Sequence, residues 1–152
     1  RAGLRWSTPE MGWWKINTNE SSLGNPGRAG IGGAIRDADG RVMFLFYDYI
    51  GSTDAIKAEV RALAKVYTIL ISEQGFPLPR LVFECDSQNL ISWLTNRGEV
   101  PIRFNDWFVP ILNLLNHAGS VKFQHIFREK NGLADHLAKS GVAVGQSFAS
   151  WF

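Results

Sequence analysis

A single cysteine, Cys85, stands in the 152 residues, so no disulfide can form within the chain and no cysteine-based zinc site is possible. It lies in the apolar stretch LVFEC, where a small buried core thiol is expected. Long apolar runs are missing too. The most apolar one, Val66–Ser72, is short and sits inside an amphipathic pattern, well below the ~18 residues a membrane span needs. No membrane partner is therefore expected, and an intracellular location is, with nucleus and cytoplasm both open. The N-terminus lacks the positive-then-apolar pattern of a secretory leader. It begins with Arg, and a piece of a longer chain is expected. No run of five Lys or Arg occurs, and a net charge of +2 with a pI near 8.9 permits nucleic-acid binding without requiring it. There is no internal repeat and no low-complexity segment.

What is present is globular: 45% hydrophobic and 20% charged residues, a length that suits one domain. Residues 1–12 have no period and are expected to be a linker or tail, with Trp6 packing on the domain. WWKINTN reads as a strand, SLGNPGRAG as a turn, IGGAIRD as a second strand, DADG as a hairpin signal and RVMFLFYDYI as a third strand. The glycines of the second strand mark a bulge or a close backbone approach. From Asp54 the period changes: Ile56, Val60, Leu63, Val66 and Leu70 step by three and four, one face of a helix ended by Gly75 and Pro77. LVFECD is a buried strand. SQNLISWLTN is a helix capped by Asp86 or Ser87, and NDWFVPILNLLNH another that takes Pro110 in its first turns. SVKFQHIF alternates as a strand, and NGLADHLAKSGVAVG closes as a helix. The order βββ-α-β-α-α-β-α predicts an α/β domain over 13–144: a five-stranded mixed sheet, its first three strands antiparallel, with helices on both faces. Residues 145–152 are expected to be a C-terminal tail.

In open α/β sheets, ligand sites gather beyond the carboxyl ends of the strands. By topology four positions reach that place: Asn19 at the end of the first strand, Asp86 at the end of the fourth, Glu59 early in the first helix, and Asp135 early in the last. Taken singly, each has an ordinary reading as a solvated helix residue, a cap or a complement to the helix dipole. Their joint presence in this element order is what carries weight.

GWWKINTNESSLGNPGRAGIGGAIRDADG, AEVRAL, ECDSQNLI and VKFQHIFREKNGLADHLA together resemble the ribonuclease H family. The likeness is to the plant type found in LINE-like retroelement polyproteins, and it spans residue 13 to about 144. The resemblance implies a ribonuclease H-like fold and hydrolysis of RNA in RNA/DNA hybrids by four carboxylates that hold two Mg²⁺. The matching positions are Asn19, Glu59, Asp86 and Asp135, so the first metal-bridging carboxylate is an amide. Glu59, Asp86 and Asp135 remain as metal ligands, and only weak or single-site Mg²⁺ or Mn²⁺ binding is expected. Asn25, Ser87, Gln88 and Asn131 match substrate-binding positions, which are also turn and cap residues.

Other departures accompany Asn19. Glu20 stands where the family has Gly, and strand alternation points it away from the metals unless a bulge intervenes. Ala55 and Ile56 replace two Asn that meet the hybrid's minor groove. Glu129 is near the place of a loop His, while His125 falls on a strand and is expected to be structural. The basic protrusion of some cellular enzymes is missing. An engineered Asp-to-Asn change would account for residue 19 but not for Glu20, Ala55 or Ile56.

Three functions follow as expectations. The favoured one is a ribonuclease H-type domain impaired or inactivated at Asn19, with residual binding of hybrid or other nucleic acid. The second is an active or weakly active enzyme with Glu20 assisting. The third is a protein-binding scaffold that uses FLFYDYI or the terminal ASWF. Trp13, Trp14, Trp93, Trp107 and Trp151 offer bases a stacking surface, although most fall at core-period positions.

Overall fold

Alternation of side chains and two kinds of turn build the first half of the chain. β1 (Trp13–Gly24) and β2 (Gly27–Arg36) pair antiparallel from Lys15↔Arg36 to Gly24↔Gly27. A tight turn then returns the chain into β3 (Val42–Thr53), antiparallel to β2. The Asp37 carboxylate makes that turn by accepting from the backbone N–H groups of Asp39 and Arg41, at 3.0 and 2.9 Å. The second half alternates helices with β4 (Arg80–Cys85) and β5 (Val121–His125), both parallel to β1's side of the sheet. The helices are α1 (Ala55–Ile69), α2 (Gln88–Thr95), α3 (Asn105–His117) and α4 (Gly132–Val144). The computed structural model describes residues 5–24, 27–74, 78–96, 99–117 and 120–152. Among these, no helix is long and apolar enough to cross a membrane.

The sheet has six strands, in the order β5-β4-β1-β2-β3-β6, not the five expected. The sixth, β6 (Phe148–Trp151), lies in the expected C-terminal tail and pairs antiparallel with β3. Four residues are too few to show a period. Their strand exists because Trp151 packs on Phe44 and Phe148 on Tyr47, with ring centroids 4.7 and 5.4 Å apart. Gly145, at φ 71°, ends α4 in the left-handed conformation and turns the chain toward β3.

α1 begins at Asp54, whose carboxylate accepts from the Lys57 N–H at 2.8 Å. Val60, Leu63, Val66 and Tyr67 on it are fully buried with Ile16 and Ile31 of the sheet. α4 lies on the opposite face, directly on the β2 backbone. A Cβ on Gly32 would stand 2.5 Å from the Ala138 nitrogen, and one on Gly141 2.6 Å from the Asp48 carbonyl oxygen. Of the two expected uses of the IGGAIRD glycines, close backbone approach is the one found at Gly32; the register shifts lie outside that pair, at Ala29/Gly30 and Ile35/Arg36.

None of the described tryptophans is exposed. Trp93 packs on Phe104, and Trp107 takes the Arg61 guanidinium at 5.0 Å. Trp13 is buried and the others are half-buried.

Candidate active site at the ends of the central strands

β1 and β4 run parallel only as far as Asn17↔Glu84. Beyond that pair β4 ends, while β1 continues along β2 to Gly24. The gap between them is the switch point where an α/β sheet builds its site. Asn19 is thus mid-strand, paired with Gly32, and not at a strand end as expected. It is nevertheless the second residue past the last β4 pairing, which puts it at the gap.

Residues from three other elements arrive there. Glu59 comes from the second turn of α1, Asp86 from the residue after β4, and Asp135 from the first turn of α4. The Asn19 side chain is 4% exposed in total and both ends of its amide are engaged. Its oxygen accepts from the Glu20 backbone N–H at 2.8 Å, and its Nδ2 donates toward Asp135 Oδ1 at 3.5 Å. Lys139 Nζ, one turn on from Asp135, closes on the other carboxylate oxygen at 2.8 Å. Asp135 thus has one protein donor on each carboxylate oxygen.

The other carboxylates are less compensated. Arg128 Nε stands 3.7 Å from Asp86, with the arginine side chain mostly in solvent. Glu59 has Ser87 as hydrogen-bond partner; burial, and then the charges of Glu20 and Asp86, push its pKa from 4.5 up to about 7. Glu20 is half-buried and accepts from Ser22 Oγ at 2.9 Å. It lines a cleft of about 200 Å³ with Ser21, Ser22, Arg128, Asp135 and Lys139. Burial raises its pKa, and it feels the charges of Asp86 and Asp135. Strand alternation predicts Glu20 pointing away from the site. Glu20 nevertheless lines the same cleft as Asp135, with no bulge in β1 at that point.

The remaining expected contacts divide. Ser87 caps α2, its Oγ accepting from the Leu90 N–H at 3.2 Å, which settles the cap in its favour over Asp86. Gln88 is exposed beside it. Asn25 lies outside the described residues. Asn131 was expected to face substrate but is 1% exposed. Its Oδ1 accepts from Asn17 Nδ2 at 3.2 Å and its Nδ2 donates to the Thr18 carbonyl at 2.9 Å, so it ties β1 to the start of α4. Nothing in its NGLAD context distinguishes an inward amide from an outward one. Sequence reasoning also missed the buried pair Lys15–Glu84, at 3.1 Å. Its only signal was a Lys on an otherwise buried strand.

A hard divalent ion needs oxygen ligands, preferably anionic. The Asn19–Asp135 half fits one poorly: the amide oxygen is neutral and already accepts from a backbone N–H, and its NH₂ group faces the remaining carboxylate. The half made of Glu20, Glu59 and Asp86 fits one by chemistry, three carboxylates that feel one another's charge, with Arg128 near Asp86. No three His, Cys, Asp or Glu among the described residues are already gathered as ligands, so side chains must rotate to close on an ion.

Comparisons with known proteins speak to family and fold. Residues 17–141 match the family described as reverse transcriptase-like. A relative from Arabidopsis thaliana, named as a ribonuclease H protein, is 32% identical over 97% of the chain. The chain spans 23% of that relative's length. Among solved structures, LC11-RNase H1 in complex with an RNA/DNA hybrid is 26% identical, with a TM-score of 0.78 over 87% of this chain and 98% of its own. RNase H1 from the halophilic archaeon Halobacterium salinarum is 25% identical, with a TM-score of 0.76 over 88% and 99%. The chain belongs to the reverse transcriptase-like family, as a plant-type ribonuclease H-like domain with the ribonuclease H fold.

Proposed function

We propose that this domain descends from a nuclease of RNA/DNA hybrids, retains nucleic-acid binding, and has lost most of its hydrolytic power at Asn19. The observation that carries this reading is the state of the Asn19 amide. Its oxygen is held by the Glu20 N–H and its NH₂ group faces Asp135, where two metal ions would need a shared anion. The solved relative bound to a hybrid supports that class of ligand.

A second reading, weak activity with one ion, has a specific observation behind it. Glu20, Glu59 and Asp86 are the residues that would hold a single Mg²⁺ or Mn²⁺, and the cleft wall carrying Glu20 also presents Arg128 and Lys139 to a phosphate. A bound divalent ion would supply Lewis-acid charge beside a phosphodiester. The chain's own part is to position that phosphate with Arg128 and Lys139 and to balance the carboxylates. One lost bridging ligand on the Asp135 side keeps this reading to low rates.

Cleavage of an RNA/DNA hybrid in Mg²⁺ and in Mn²⁺ tests both. The chain is compared with Asn19→Asp and with Asn19→Asp/Glu20→Gly. Cleavage by a revertant alone supports inactivation at residue 19. Equal cleavage by the unaltered chain sinks it, and loss of that cleavage in Glu20→Gln identifies the one-ion reading. Hybrid binding that ignores added salt would remove the nucleic-acid role itself and leave the protein-scaffold reading, for which Phe148 and Phe152 at the β6 edge are the exposed apolar groups.

A further inference from the structure

The segment before β1 has no period and no apolar run, yet it is fastened to buried polar groups of β1 and to Arg36 of β2. Trp6 Nε1 donates to Asn17 Oδ1 at 3.0 Å. The Arg36 guanidinium lies over the Trp6 ring at 4.0 Å, and Lys15 Nζ donates to the Ser7 carbonyl at 2.8 Å. Asn17 is 1% exposed, and its Nδ2 group gives one bond to Glu84 Oε1 at 3.0 Å and one to Asn131 Oδ1 at 3.2 Å. Both N–H groups of the Asn17 amide are thus used, and its oxygen receives the Trp6 N–H only when Trp6 is docked. Glu84 completes its own set with Lys15 at 3.1 Å. On this face α4 covers β1, β2 and β3. Over β1, β4 and β5 the cover comes from Thr8, Pro9 and Glu10, which enclose a space of about 190 Å³ with Trp13, Lys15 and Lys122.

The network does not stop at Asn131. That residue caps α4: its carbonyl accepts from the Asp135 N–H at 3.0 Å, and its Nδ2 holds the Thr18 carbonyl. One chain of hydrogen bonds thus runs from Trp6 through Asn17 and Asn131 to the backbone of Asp135. We propose that Trp6 is a positioning residue of the site, holding the first turn of α4, and with it Asp135, against β1. The functional unit accordingly begins upstream of Trp13, earlier than the 17–141 span matched by the family. This stands independently of whether the site takes metal or nucleic acid.

The physical reason is the cost of an unmet buried amide. With Trp6 removed, Asn17 Oδ1 loses that donor; a flip of the amide would only set its oxygen against the Glu84 and Asn131 oxygens, so relief comes from a shift of the Asn17 side chain toward water or another donor. That shift loosens the Nδ2 bonds to Glu84 and Asn131 together. Asn131 then releases the α4 N-terminus locally, while α1 and the apolar core keep their contacts.

Amide hydrogen exchange on the intact chain tests it, using Trp6→Phe, which keeps an aromatic ring for Arg36 but removes the N–H, and Trp6→Ala. The expected result for Trp6→Phe is exchange at least about tenfold faster at residues 131–136, with amides of α1 within about twofold of the parent. A purely structural role would move both regions by the same factor, and that result overturns the proposal, as does unchanged exchange at 131–136. If Trp6→Ala does not fold, Trp6→Phe decides alone.

Discussion

Glu59→Gln is the change whose consequence can be worked furthest. Burial is the main reason the Glu59 carboxyl is pushed from 4.5 up to about 7, with repulsion from Glu20 and Asp86 adding to it after the Ser87 hydrogen bond has pulled the other way. A carboxyl with a raised folded-state pKa holds its proton more tightly in the folded chain. Its contribution to stability is fully present below pH 4.5 and is lost as pH rises through about 7. At about 1.4 kcal/mol per pH unit, ionising Glu59 in the folded chain costs roughly 3 kcal/mol at pH 8. Gln keeps the shape and an oxygen for Ser87, but carries no charge. Glu59→Gln is therefore expected to be neutral at pH 4 and to stabilise the chain by about 2–3 kcal/mol at pH 8. Urea melts of both proteins at pH 4, 6 and 8, without divalent ions, measure this. A difference between the two that does not grow from pH 4 to pH 8 would show that Glu59 ionises normally and that the uncompensated state of this half of the site is misread.

The other predictions are shorter. Gly32→Ala places a methyl 2.5 Å from the Ala138 nitrogen on α4; a loss of about 1–3 kcal/mol or more is expected in urea unfolding, and an unchanged midpoint would mean that α4 can lift off β2 freely. Trp151→Ala removes the ring packed on Phe44 and is expected to lower stability by about 2–3 kcal/mol while leaving hybrid affinity unchanged; a matching loss of affinity would place β6 in the nucleic-acid interface. Arg128→Ala is expected to weaken hybrid binding and to reduce by about 1 the slope of log affinity against log salt, measured by fluorescence anisotropy. An unaltered slope would mean that Arg128 touches no phosphate.

The sequence determined a good deal by itself. Alternation and turn chemistry were enough for the antiparallel start, because a strand half-covered on one face must alternate and Asp37 makes its own turn. The three-and-four spacing of Val60, Leu63 and Val66 settled α1, since those residues bury one face. The element order then brought Asn19, Glu59, Asp86 and Asp135 to one end of the sheet, and the amide at residue 19 could be read directly. Only the tertiary structure decided the rest. β6 has no period of its own and forms because Phe44 offers Trp151 a surface. Glu20 lines the same cleft as Asp135 although alternation sends it away, past the point where the pairing of β4 with β1 ends. Asn131 is locked inside and Trp6 is docked through partners 114 and 11 residues away in sequence. Local pattern reports which face of an element is apolar; which polar groups meet across the sheet depends on hydrogen bonds that exist only once the distant segments are packed together.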